Sequence, residues 1–288
     1  MSIKRKVFAC GVALHLLSML CSGAEPAAAK PDQAKWWQES SLSHSAVPSR
    51  YLFHTEGTFS YVEARGNTEG TALDVQVELD ARKGRVTNRF TTGWAHRDMV
   101  YGFGGGSVDV TESTTRNQVE YDLTRNFVLV GGLEHYRNTL MFIDDRSTYY
   151  SGIGVTVKQT DEHKVSFMGG LGRAHFQFDR EGIDQTNPTA LQNIHSLEPS
   201  AGGSYFMQSW RWRVSHQLTL TQDSSLMEYF GGHLGQKWSL GFDFNIPVSK
   251  RVSLAPSYRI RDEDNDVIRA LGVKPQDRTF SFGVRVSI

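Results

Sequence analysis

The chain has 288 residues, 31 basic and 31 acidic side chains, a formal net charge of zero, 39% hydrophobic residues and a mean hydropathy of -0.40. Past residue 24 no apolar stretch approaches the roughly 20 residues that a membrane-spanning helix needs, so a helical membrane protein is excluded. The balanced charge also lacks the basic patch or stripe of a nucleic-acid binder, which leaves a soluble globule or a membrane β-barrel, whose strands are apolar on one face and average out as hydrophilic.

The N-terminus opens with Lys4, Arg5 and Lys6, continues through an apolar run from Val7 to Leu20 and ends in Ser22-Gly-Ala24. A basic region, an apolar core and small residues before a cut site make a secretory signal peptide over residues 1–24. Ala27-Ala-Ala29 offers a second cleavage point. Lipidation at Cys21 is disfavoured because Met19 and Leu20, rather than small residues, precede it. Both cysteines, Cys10 and Cys21, lie in the removed segment, so the mature chain has no thiol although its compartment permits disulfides. Removal leaves 28 basic against 31 acidic residues.

Residues 25–55, rich in Ala, Ser, Pro, Gln and Lys, read as a periplasmic lead-in, partly disordered, with a short helix between Asp32 and Ser41. The barrel is expected over residues 56–288. Weak alternation over Thr58–Arg65 is followed by Leu73-Asp-Val75-Gln-Val77-Glu-Leu79-Asp-Ala81, where every second residue is apolar, the period of a strand with one apolar face. Weaker versions occupy Arg85–Arg97, Arg116–Thr124, Phe127–Arg137, Tyr149–Gln159, His163–Phe178 and Ser196–Ser209. Clear alternation returns in Trp212–Leu220, Trp238–Ile246, Val252–Ile260 and Phe280–Ile288. These twelve runs are about ten residues each, the length a tilted strand needs to cross the hydrocarbon. Pro256 inside one of them predicts a bulge or a distortion.

Outer-membrane barrels pair short periplasmic turns with longer external loops. Lys83-Gly84, Arg125-Asn126, Asp161-Glu162, Trp210 and Ser249-Lys250 read as tight turns, and the connections beginning near Asp98, Asn138, Asp179, Gln222 and Asp262 as long. The first hairpin, Gly66 to Gly70, is compact on the nominally external side. The fold class expected is therefore all-β: a transmembrane antiparallel up-and-down β-barrel of about 12 strands after a cleaved signal peptide. The final strand places Phe280, Phe282, Val284 and Val286 on one face and stops at Ile288. It looks like the terminal strand by which barrel-assembly machinery recognises its clients, with Ile where an aromatic residue is usual. The partners expected are that machinery, periplasmic chaperones, outer-membrane lipid and lipopolysaccharide around a monomeric barrel.

Thr58–Asp80, with its Gly66-Asn67-Thr68 turn, resembles the start of the family of salt-induced outer-membrane proteins, long listed as a domain of unknown function. Leu133-Glu-His-Tyr-Arg137, Ser151-Gly-Ile-Gly154, Gly169-Gly-Leu-Gly172 and Tyr258-Arg-Ile-Arg261 follow in order, so that the resemblance covers roughly residues 57–288. It implies a barrel in the outer membrane and transfers no catalytic residue.

Outer-membrane lipid hydrolases are also barrels, with a Ser activated by a His. The candidate pairs are His44-Ser45, His195-Ser196 and Ser215-His216, and none has the His-x-Ser-Asn pattern of those enzymes. Gly102 to Ser107 lacks the sixth glycine and the helix of a nucleotide loop. Asp262 to Asp266 begins like a calcium loop but has Val267 and Val273 where the Gly and the terminal Glu belong. No catalytic, cofactor or metal site is expected. If the apolar face of each strand meets lipid, Asp74, Gln76, Glu78 and Asp80 face the lumen, as do Arg211, Arg213, Gln217, Arg259, Arg261 and Arg285. Early carboxylates and late arginines then become neighbours on closure. They form either a salt-bridged plug or a narrow charge-lined pore, in a small-solute channel or an envelope-stress scaffold, with a lipid-modifying enzyme as the alternative.

Overall fold

A computed structural model describes residues 51–65, 68–101, 107–124, 126–160, 162–215, 217–230, 234–272 and 276–287. Its strands are β1 (Leu52–Arg65), β2 (Thr68–Lys83), β3 (Val86–Tyr101), β4 (Ser107–Asp122), β5 (Phe127–Asn138) and β6 (Ile143–Gln159). After them come β7 (His163–Phe178), β8 (Ser200–Ser215), β9 (Leu218–Tyr229), β10 (Gln236–Pro247), β11 (Val252–Glu263) and β12 (Gln276–Ser287). Each strand pairs antiparallel with its sequence neighbours, and β12 returns to β1 with Phe59 opposite Val284 and Thr58 opposite Arg285. The result is a closed twelve-stranded barrel, the all-β architecture of outer-membrane proteins, with no unpaired sheet edge.

Contacts across the middle identify the interior face. Arg261 on β11 reaches Glu112 on β4, and Arg146 on β6 reaches Glu263 on β11, between strands that are not neighbours. The opposite parity carries exposed apolar side chains on nearly every strand, among them Phe59, Leu79, Trp94, Leu129, Ile153, Leu171, Phe206, Leu226, Phe244 and Phe282. A water-soluble monomer rarely exposes so continuous an apolar belt, whereas lipid tails solvate one at no cost. Leu171, midway along β7 and 63% exposed, tests this directly. Leu171→Arg is expected to lose about 2–4 kcal/mol of stability on folding into lipid vesicles. A loss near zero would place the belt in water.

The strands run 12 to 17 residues, longer than their alternating cores. The extra residues lie toward the odd-numbered hairpins, where outward positions become polar, as at His135, Arg137, Asp145 and Arg173. Contrast between the two faces fades there while hydrogen bonding continues. For that reason two connections expected to be long begin later than the sequence suggests, since Asp98 lies in β3 and Gln222 inside β9, and the one that follows Asn138, the last residue of β5, is a four-residue turn. The first strand likewise starts at Leu52, ahead of residue 56.

Two further expectations are corrected. Trp210 belongs to β8, which continues to Ser215, and the turn before β9 includes Gln217. Antiparallel partners such as Arg211 and Thr221, or Arg213 and Thr219, share parity, so alternation runs through the hairpin and hides it. At Pro256 only the bulge is corrected, and the distortion is there as a two-rung gap in the ladder. The β10–β11 ladder passes from Asp243↔Ser257 to Ile246↔Leu254 in constant register, skipping Ala255 and Pro256, and Pro256 still lies opposite Phe282 on β12. A missing N–H removes one donor without inserting a residue.

At the even-numbered hairpins a hydroxyl closes most turns. Thr124 accepts from the amides of Asn126 and Phe127, Thr160 from His163, Ser215 from Gln217, and Ser249 from Arg251 and Val252. At the other end two connections are long and folded. The β7–β8 connection holds α1 (Arg180–Thr186), capped by Asp179 accepting from the Gly182 amide, and a 3₁₀ turn at Ala190–Gln192. The β11–β12 connection holds α2 (Asp266–Leu271), capped by Asn265 and ended by Gly272 at φ 68°. Ile183, Ala190, Val267 and Ile268 turn inward onto Tyr136, Met141, Ile143, Phe176, Phe178, Tyr229 and Leu234. They form an apolar plug at the mouth of the barrel.

Candidate functional site

Beneath the plug lies a network of ion pairs. Arg146, 1% exposed, places Nη1 2.8 Å from both oxygens of Glu263 and Nη2 3.4 Å from Glu134 Oε1, with its guanidinium 4.2 Å from the centre of the Tyr136 ring. Glu134 also accepts from Arg116 and lies 3.6 Å from Lys237 Nζ. Glu112 accepts from Arg97 and from Arg261, each at 2.7 Å, and Arg261 donates to Tyr136 Oη at 3.1 Å. Groups from β3, β4, β5, β6, β10 and β11 thus meet in one place. The partners stand up to 149 residues apart in sequence.

Toward the turn end the same wall carries a second tier. Arg89 donates to Glu120 at 3.1 Å and stands 3.8 Å from Asp80, Arg82 donates to Asp122 at 2.8 Å, and Gln118 joins Glu120 to Tyr150. Between the tiers two interior glycines, of which Gly152 belongs to the motifs of the family resemblance, have a steric reason. The Tyr150 ring lies against Gly132, and Tyr205 packs edge-on to Tyr150 with its hydroxyl against Gly152, where a Cβ would also run into the β7 backbone.

The opposite wall is built of small polar groups. Ser225 and Ser239 hydroxyls are 2.7 Å apart, those of Ser257 and Ser281 2.6 Å apart, and Gly241 and Gly283 fill the neighbouring interior positions. Gln76, Asp223 and Arg259 point inward yet are solvent-exposed. Water therefore has room inside the barrel along β8–β12.

The structure sets Asp74, Gln76, Glu78 and Asp80 on the interior parity of β2, opposite Ser60, Thr58, Glu56 and His54 of β1. Arg211 stands opposite Lys164, Arg213 opposite Thr219, and Arg259 beside Gly241. Arg285 pairs with Glu56 at 3.0 Å across the β12–β1 seam. Gln217 departs from its expected place: it lies in the β8–β9 turn, outside any strand. Early carboxylates and late arginines do become neighbours, Asp74 interacting with Arg259 and Arg261, although the direct ion pairs fall on other acids. Closure sets β12 against β1 rather than β2, so Arg261 reaches across to Glu112 while Asp80 is met by Arg89 from the next strand. Phe280, Phe282, Val284 and Val286 line the outer face of β12, and Ile288 lies outside the described residues.

Glu112, Glu134, Arg146, Lys237 and Glu263 escape a reading by alternation. Around Glu112 the outward residues Ser113, Thr115 and Asn117 are polar too, so the two faces look alike. Glu263 sits in the acidic run read as a loop; Asp264 and Asp266 of that run pair with Arg269.

Of the Ser–His candidates, His44-Ser45 and His216 lie outside the described residues, and His195-Ser196 is in the β7–β8 connection. A different contact occurs on the outer face: His135 Nδ1 is 2.9 Å from Ser147 Oγ, which donates to Asp145 Oδ2 at 2.9 Å. A hydroxyl has one proton, and here it goes to Asp145. A serine that donates to Asp145 is not one whose proton the ring takes, and Asp145 approaches Nδ1 itself at 3.7 Å instead of orienting the ring from the far side.

Among solved structures the NanC porin aligns with a TM-score of 0.50 at 7% identity, covering 80% of this chain and 98% of that chain. The translocator domain of the autotransporter NalP from Neisseria meningitidis aligns at 0.48 and 11% identity, over 85% of this chain and 90% of that one. The KdgM porin aligns at 0.43 and 9% identity, over 80% and 99%. At such identities the NanC likeness concerns the fold. No curated protein matches in sequence. The family model described as "Protein of unknown function, DUF481" matches residues 57–288, the whole barrel from β1 to the C-terminus, and the chain belongs to that family.

Proposed function

We propose that the protein is a narrow channel for small solutes in the outer membrane of a diderm bacterium, reached by export on the N-terminal signal peptide. The observation that carries this reading is the water-exposed inward strip of Gln76, Asp223 and Arg259 beside the serine wall, in a barrel whose outer surface suits lipid. The lower tier fills the β2–β6 side and the network beneath the plug crosses from there to β10 and β11, so solute passes beside it along β8, β9 and β12. The looped end with its plug faces the exterior, and the short turns face the periplasm. The outer row of β12 is what assembly machinery reads after periplasmic chaperones deliver the chain, and the barrel works as a monomer ringed by lipid and lipopolysaccharide.

Purified, folded protein in planar bilayers is expected to give discrete steps of small unitary conductance. Silence from folded protein, persisting after the plug is broken, would overturn the channel. It would leave the envelope-stress scaffold, which the apolar plug favours. The proton arrangement at Ser147 gives no support to a lipid hydrolase.

A further inference from the structure

The network below the plug is unbalanced. Five cations, Arg97, Arg116, Arg146, Lys237 and Arg261, share three carboxylates, Glu112, Glu134 and Glu263. The next carboxylate, Asp74, interacts with Arg97, Arg259 and Arg261, and Arg259 in turn with Asp223, so the excess of two belongs to this network and not to the charges around it. The excess sits inside a low-dielectric wall, where uncompensated charge is costly and a focused field draws ions of the other sign. Two of the guanidiniums remain accessible: Arg116 is 41% and Arg261 26% exposed. Arg97 Nε makes no hydrogen bond.

We propose that Arg116 and Arg261, backed by Arg97 and Lys237, form an internal site for a small anion that presents carboxylate or phosphate oxygens, and that this site makes the channel anion-selective. A guanidinium offers its free N–H groups as a fork that matches such oxygens. The carboxylates already present orient the two arginines while leaving charge to spare. Access to the site rests on the channel reading.

The experiment uses full-length folded protein, with succinate and inorganic phosphate as probes and 1,4-butanediol as the uncharged control, read by calorimetry and by reversal potential in a potassium chloride gradient. Arg116→Gln and Arg261→Gln are each expected to weaken succinate binding about tenfold, the loss of one charge-assisted contact. Both variants should fold, since Glu134 keeps Arg146 and Lys237, and Glu112 keeps Arg97. Arg116→Lys should retain part of the binding, and Glu112→Gln should tighten it by enlarging the excess. Binding that neither glutamine variant changes, or that Glu112→Gln weakens, overturns the site. Conductance with no preference for chloride overturns the selectivity and leaves the channel. Succinate binding in a barrel that never conducts supports the site and overturns the channel.

Discussion

Arg146→Ala is expected to cost the barrel about 3–5 kcal/mol, the range for removing one partner of a buried pair. Arg146 is 1% and Glu263 2% exposed, and the alanine would leave Glu263 without the guanidinium nitrogen that meets both its oxygens. Glu134 fares better because Arg116 and Lys237 remain beside it. The Tyr136 ring would also lose the guanidinium stacked on it. Arg146→Lys should recover only part of the loss, since an ammonium supplies the charge without the planar fork. Urea unfolding in lipid vesicles measures the effect, and the double variant Arg146→Met, Glu263→Gln should be milder than either charge deletion alone. A loss below about 1 kcal/mol for Arg146→Ala would mean that water solvates the pair as it does a surface bridge.

Breaking the plug is expected to change the channel more than any lumen substitution. Ile183 is fully buried and Ile268 2% exposed, and they reach one apolar cluster from α1 and α2. Ile183→Asp with Ile268→Asp removes two packed side chains worth about 1.5–3 kcal/mol each and adds two carboxylates that cannot stay in an apolar cluster. The two connections should leave the mouth while the barrel, whose strands carry their own ladder, stays folded. Unitary conductance should rise, and external protease should cut near residues 180–198. Unchanged conductance together with unchanged protease resistance would show that the plug does not obstruct the path.

How far the site could be read from residue order varied by strand. On β2 and β12 the contrast between apolar and polar positions is sharp, and the interior parity of Asp74 to Asp80 and the outer row of Phe280 to Val286 follow from period two alone. On β4 and the start of β6 both faces are polar near the rim, so Glu112 and Arg146 carry no mark of facing inward. The β8–β9 turn was hidden for the opposite reason, an alternation that never breaks, and Gln217 was misplaced with it.

Residue order by itself determined the closed all-β architecture and its strand number, because period-two patterning is local: each residue's preference for lipid or for the interior is expressed within its own strand. The same local character reveals the hydroxyls and glycine that make the tight turns. Only the tertiary structure decided which charges meet. Arg146 finds Glu263 and Arg261 finds Glu112 because closure and strand stagger bring β6 and β4 to face β11, over separations of 117 and 149 residues. It also decided that α1 and α2 fold inward as a plug, since a short amphipathic helix has no preferred partner until the barrel supplies an apolar mouth to cover. Pairing across a lumen depends on geometry that no window of sequence contains.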